Sequence, residues 1–264
     1  MPEGPPIGFH VTCRLTDGRV IAPTRNHRLT VARTVLDQFR GRALLAFNTP
    51  DTHLHTEHAE PEEVGSSLLA NALRSIKLTL KLPVGFAKPF PKPIRSQAHL
   101  FNTFDYVLGQ QPHHELEWDP YHEASNLPDL LGLRVLGRYT ADNVRRLLPR
   151  LKRHLLLKHL GVEAHESKDG PPRDLLAATG LTDLHGRCAL TRAARRAAVV
   201  VANAGATLEQ LARLLETDRK SLWRARQKPA DPDLVRAIRL QLQLRQLVPA
   251  APTGAFSPDE LHLD

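Results

Sequence analysis

His53 and His55 stand two residues apart in the run His53-Leu54-His55-Thr56-Glu57-His58. On a strand, that spacing brings both imidazoles out on one face with Cα atoms about 6–7 Å apart. Two imidazoles so placed can share one divalent metal. In a chain with 14 histidines the pair can also be a solvated strand edge. Tyr106 and Gln110 are four apart in an expected helix, which stacks a phenol and an amide on one side. The plain alternative for Tyr106 is a core aromatic beside Phe104 and Leu108. A phenol with an ordinary pKa near ~10 is a weak nucleophile at neutral pH. A neighbouring cation polarises a phosphate and offsets charge on the attacking and leaving oxygens. The combination suits phosphodiester cleavage by transesterification, the phosphotyrosine ester keeping the bond energy for a second transfer.

Such chemistry needs a strand and a later helix brought face to face. Apolar alternation predicts strands at 9–15, 43–47 and 53–58, helices at 29–39 and 62–82, a proline-rich loop at 83–93 and a fourth strand at 94–99. The order strand, helix, strand, strand, helix, strand predicts an α+β fold with a ferredoxin-like split βαβ unit, an antiparallel sheet with helices on one face. A helix at 100–110 crosses that core, and 141–160 reads as a strongly basic helix. Gly170-Pro171-Pro172 marks a linker. The expected organisation is a catalytic domain at 1–161, a linker at 162–172, a small all-helical domain at 173–250 and a tail at 251–264. Within the helical domain Thr207 and Gln210 have capping-box spacing, and Asp218 can cap a following helix. That pattern predicts a helix-turn-helix unit, with a plain three-helix bundle as its rival.

Composition limits the function classes. The chain has 264 residues, 41% of them hydrophobic, enough for a packed core. Its 36 Lys and Arg exceed its 28 Asp and Glu, giving net charge +8, which suits a polyanionic partner. Cys13 and Cys188 are far apart in sequence and suggest no disulfide framework or cysteine zinc site. No run reaches the roughly 20 apolar residues of a membrane span, and the first residues do not read as a signal peptide, so no membrane contact and a cytoplasmic setting (bacterial cytosol or nucleoid) are expected. No phosphate-binding glycine loop, serine elbow or dinucleotide fingerprint is present. His113-His114, Asp119 and Tyr121-His122-Glu123 hint at a metal hydrolase but lack a helical His-Glu-x-x-His frame.

Phe9-His10-Val11-Thr12-Cys13-Arg14, then His53-Leu54-His55, then Tyr106-Val107-Leu108-Gly109-Gln110 resemble the landmarks of single-tyrosine HUH transposases, especially the REP-associated tyrosine transposases. The resemblance spans residues 6–161. Thr49-Pro50-Asp51-Thr52 stands where the family carries Met-Pro-Asn before the first histidine. The resemblance implies Tyr106 as nucleophile and His53 and His55 as metal ligands, with Gln110 completing the site. Glu57 shares the alternation of His53 and His55 and is the alternative third ligand. It further implies Mg²⁺ or Mn²⁺ as cofactor, a covalent 5′-phosphotyrosine intermediate, and single-stranded or hairpin DNA as substrate. Insertion-sequence relatives act as dimers and REP-associated ones as monomers, so monomer and homodimer both stay open.

Basic residues extend the reading to DNA contacts. Arg14 closes the first landmark. Arg145, Arg146, Arg150 and Arg153, with Lys152 and Lys158, fall in the expected basic helix and would neutralise phosphates with little base selectivity. Arg219, Lys220 and Arg224 fall on the expected second helix of the helix-turn-helix. Phe86, Lys88, Phe90, Lys92 and Arg95 interleave aromatics with cations, as single-strand platforms do, although core anchoring explains the phenylalanines equally well. A second function class stays in view, a domesticated DNA-binding regulator that keeps the fold and no longer cuts.

Overall fold

Along β1 (Gly8–Arg14), Phe9, Val11 and Cys13 alternate with His10, Thr12 and Arg14. Strand geometry sends the two sets to opposite faces, and the computed structural model keeps them there. It describes residues 4–114, 116, 122–151, 156, 178–181, 188–202 and 207–247. The apolar set joins a core with Leu54 and with helices α1 (Arg25–Gln38) and α2 (Glu62–Thr79). The polar set is in register with β3 (His53–His58): Arg14 opposite His53, Thr12 opposite His55, His10 opposite Glu57. With β2 (Leu44–Asn48) and β4 (Phe90–Ile94) these strands form one four-stranded antiparallel sheet in the order β2-β3-β1-β4. The chain is α+β.

The expectation of helices on one face only is corrected. An irregular register between Leu44 and Ala46 turns Leu45 and Ala46 to the second face, where they pack with Ile94 and with Leu100, Phe104, Val107 and Leu108 of α3 (Gln97–Leu108). Apolar ground on that face is what seats α3 over the polar strand residues. A short helix α4 (Gln110–His113) continues it beyond Gly109.

Three boundaries also differ from the pattern. The fourth strand runs through the proline-rich stretch expected to be loop, because Pro91 and Pro93 stand opposite Val11 and Phe9 of β1, the one strand that β4 pairs with among the described residues. At a sheet edge, alternate backbone nitrogens face outward, and there proline loses nothing. The residues expected as strand at 96–99 instead start α3, where the Ser96 hydroxyl accepts from the His99 N–H at 3.1 Å. Helix α2 stops at Thr79 rather than 82, since Lys81 adopts φ +53° and the Leu82 N–H reaches back to the Lys77 carbonyl at 3.0 Å.

The segment after α4 is tied to the edge of β2. Asn126 accepts from the Phe47 N–H and donates to the Leu45 carbonyl, both at 2.9 Å. Within it α5 (Leu127–Leu131) carries Asp129, buried against the equally buried Arg134. His122 and Glu123, from the cluster suggestive of a hydrolase, have structural partners. His122 bonds the Thr49 carbonyl at 2.8 Å, and Glu123 clamps Arg25 and Arg28 of α1. Helix α6 (Arg138–Leu147) is shorter than the basic helix expected at 141–160, because Pro149 disfavours helical geometry at Leu148. Arg150 therefore follows the helix, and Arg153, Lys152, Lys158 and all of the expected linker (162–172) and tail (251–264) lie outside the described residues.

Helices α7 (Ala189–Ala202), α8 (Leu208–Leu214), α9 (Arg219–Arg226) and α10 (Pro232–Leu247) build a third apolar cluster around Ala197, Leu211, Leu222 and Ile238. The Thr207–Gln210 capping box is formed in both directions, and Asp218 accepts from the Ser221 N–H at 2.7 Å. The Gln241 amide donates to the Leu133 carbonyl at 2.9 Å, which ties α10 to the sheet domain. Among the described residues no helix is long and apolar enough to cross a membrane.

Candidate active site

The polar face of the sheet gathers residues from four elements. His53 and His55 rise from β3, His10 and Thr12 from β1, Tyr106 from α3, and Gln110 and His114 from α4 and the residue after it. The His55 ring centroid lies 6.1 Å from that of His53, 6.2 Å from His114 and 5.9 Å from Tyr106. His10 stacks on His55 at 5.5 Å and meets Tyr106 edge-on at 5.7 Å. The spacing that suggested one site for His53, His55 and Tyr106 therefore corresponds to one site in space. Tyr106 is 42% exposed at its rim, not a core aromatic.

The donor set fits a divalent cation. Asp51, His53 and His114 each offer a ligand atom, and these atoms lie within 4.8 Å of one another. The remaining ring nitrogens are already engaged. His53 Nδ1 is 2.8 Å from the Thr52 hydroxyl, and His55 Nδ1 is 3.2 Å from His10 Nε2 and 3.4 Å from the Thr12 hydroxyl. His55 Nε2 is buried with no hydrogen-bond partner. Metal-binding histidines commonly show this division, one nitrogen held by an outer partner and the other left for the ion.

Gln110, expected as a ligand, is hydrogen-bonded at both ends of its amide. Its amide donates to the Tyr106 carbonyl at 2.8 Å, which directs its oxygen to His114 Nε2 at 3.1 Å. Nδ1 of the same ring faces the Asp51 carboxylate at 3.2 Å. Gln110 thus orients the His114 ring toward Asp51. His114 was legible only as part of the weak cluster with His113, Asp119, Tyr121, His122 and Glu123.

Burial favours the neutral form of His10, His53 and His55. Burial pushes His55 down to about 3, helped by the nearby His10, His53 and His114. Burial also pushes His10 down to about 4, with Lys92 and His99 adding to the effect. His53 is lowered by burial against a smaller opposing pull from Asp51. Glu57, the other third-ligand candidate, is wholly buried with neither oxygen bonded, and burial raises its pKa well above the usual range. It lies opposite His10, outside the Asp51, His53 and His114 group.

The expected DNA contacts divide. Arg14 is exposed opposite His53, at the site itself. Arg145 is exposed but paired with Asp142 at 2.5 Å, and Arg146 and Arg150 are exposed nearby. Arg219, Lys220 and Arg224 are exposed on α9 with Trp223, which is 55% exposed. Cys13 is buried, its thiol pushed up to about 12 by burial, and Cys188 is exposed, both free. Neither family models, nor curated proteins, nor solved structures give a match to this chain.

Proposed function

We propose that this protein is a metal-dependent single-stranded DNA endonuclease and strand transferase of the single-tyrosine HUH type, acting on hairpin-containing DNA. The observation that carries the reading is the gathering of His53, His55, His114 and Asp51 beside a half-exposed Tyr106 on one sheet face. The strand order β2-β3-β1-β4, with a helix joining β1 to β2 and another joining β3 to β4, supports the ferredoxin-like expectation.

Asp51, His53, His55 and His114 would hold Mg²⁺ or Mn²⁺, which supplies charge stabilisation at the phosphate when bound. In the reaction, the Tyr106 phenol loses its proton and its oxygen forms a new bond to phosphorus. The 3′-oxygen of the cut strand leaves and takes up a proton, so the 5′-phosphate stays on the tyrosine. His10 and His55 flank the ring edge-on and restrict its swing. Thr52, Thr12, His10 and Gln110 hold the ligand rings in place. Arg14, Arg146 and Arg150 suit the phosphates of the strand, and the α8–α9 pair suits a helix-turn-helix that docks duplex DNA through Arg219, Lys220 and Arg224.

The test is strand cleavage of an end-labelled hairpin oligonucleotide. Nicking with Mn²⁺ that stops with chelator and in His53→Ala supports the reading. Binding without metal-dependent nicking would identify the non-cutting regulator instead.

A further inference from the structure

Phe90 is 71% exposed, an unusual position for a large aromatic on a strand. Its pairing shows where it points. Phe90 stands opposite Thr12, which stands opposite His55, so all three share the sheet face of the candidate site. Two interstrand steps put Phe90 about 10 Å from His55. Lys92, on the same face opposite His10, is also exposed, and Lys88 and Arg95 flank the strand. No acidic residue occurs from Phe86 to His99, so this rim is uniformly cationic. Phe86, by contrast, is half-buried against the main core and serves as the anchor.

We infer that Phe90 and Lys92 form a base-stacking subsite for the single strand entering the Tyr106 site, the ring taking a nucleobase and the ammonium the adjoining phosphate. The inference rests on the function proposed above. An exposed ring beside the exposed Lys92 and next to a phosphate-directed centre suits a nucleotide, which is both aromatic and anionic. Strand addition by another protein is the competing use of a sheet edge. Pro91 and Pro93 occupy the alternate positions of β4 and remove its outward donors, which counts against that use.

The experiment measures binding of a fluorescent 12-nucleotide single strand to the full chain with chelator present, against the same strand carrying abasic sites. Phe90→Ala weakens binding on the order of 10-fold with an unchanged salt slope, and Phe90→Trp restores it. Lys92→Ala lowers the salt slope by about 0.7. The wild type loses affinity for the abasic strand, and Phe90→Ala does not. Equal affinity of Phe90→Ala and wild type, or a change confined to self-association in sedimentation, overturns the subsite alone. A wild-type chain that binds no single strand overturns the proposed function with it.

Discussion

The side-chain oxygen of Gln110 lies 3.1 Å from Nε2 of His114, so the residue expected as a ligand is hydrogen-bonded to a member of the Asp51, His53 and His114 group that could hold a metal ion. Removing a ligand and removing its orienting partner have different costs. Mn²⁺ titration calorimetry should show His114→Ala losing more than about 100-fold in affinity and Gln110→Ala about 10–100-fold. The reverse order would return Gln110 to the ligand set.

His10 engages Nδ1 of His55 at 3.2 Å, and Nε2 is buried without a hydrogen-bond partner. His10→Ala should weaken Mn²⁺ binding about 10–100-fold while the melting temperature stays near that of the wild type. His10→Gln, whose amide can still reach His55, should recover part of the loss. Unchanged affinity in both variants would make His10 a packing residue only.

Gly65 of α2 makes room for the buried His58 ring, since a Cβ there would lie 2.0 Å from its Cε1. Alanine normally stabilises a helix interior relative to glycine by about 1 kcal/mol. Here Gly65→Ala should destabilise by about 1–3 kcal/mol in chemical denaturation, through overpacking. The double variant Gly65→Ala, His58→Ala should recover part of that loss.

Burial pushes His58 down to about 4, and His10 and His55 are lowered as well. In the unfolded chain these rings take up protons near about pH 6.5. The folded state binds fewer protons in this window, so metal-free stability should fall as pH drops from about 6.5 toward about 4. Glu57, raised by burial, has the opposite slope above the ordinary carboxyl range, and three histidines outweigh it. Urea midpoints across that range, with chelator, measure the slope; His58→Leu should flatten it.

Lys81 holds φ +53° at the end of α2, where glycine carries no Cβ penalty. Lys81→Gly should stabilise by about 1 kcal/mol and raise the melting temperature by about 2–4 °C. A lowered melting temperature would show that the side chain has a compensating role.

The histidine pair, the tyrosine and the strands beneath them were legible because alternation and helical spacing are local properties. His53 through His58 fall on one strand as spacing predicts. What sequence could not show depends on partners remote in the chain. The Pro91 and Pro93 strand exists only because β1 offers it an edge, and α3 covers the second face only because Leu45 and Ala46 are turned there. Asp51 and His114, 63 positions apart, meet through the turn before β3 and the end of α4, a junction with no periodic signature. His122 and Glu123 have the residue types of a catalytic cluster, yet their hydrogen bonds and ion pairs fasten the segment after α4 to the turn after β2 and to α1.

The most direct test is intact-mass analysis after incubating the full chain with a single-stranded hairpin oligonucleotide and Mn²⁺, followed by peptide mapping. The expected product is a covalent adduct carrying the 5′-phosphate of the cut strand on Tyr106, absent in Tyr106→Phe and in His53→Ala. An adduct that persists in Tyr106→Phe, or cleavage with no adduct on the wild type, would contradict the proposed function.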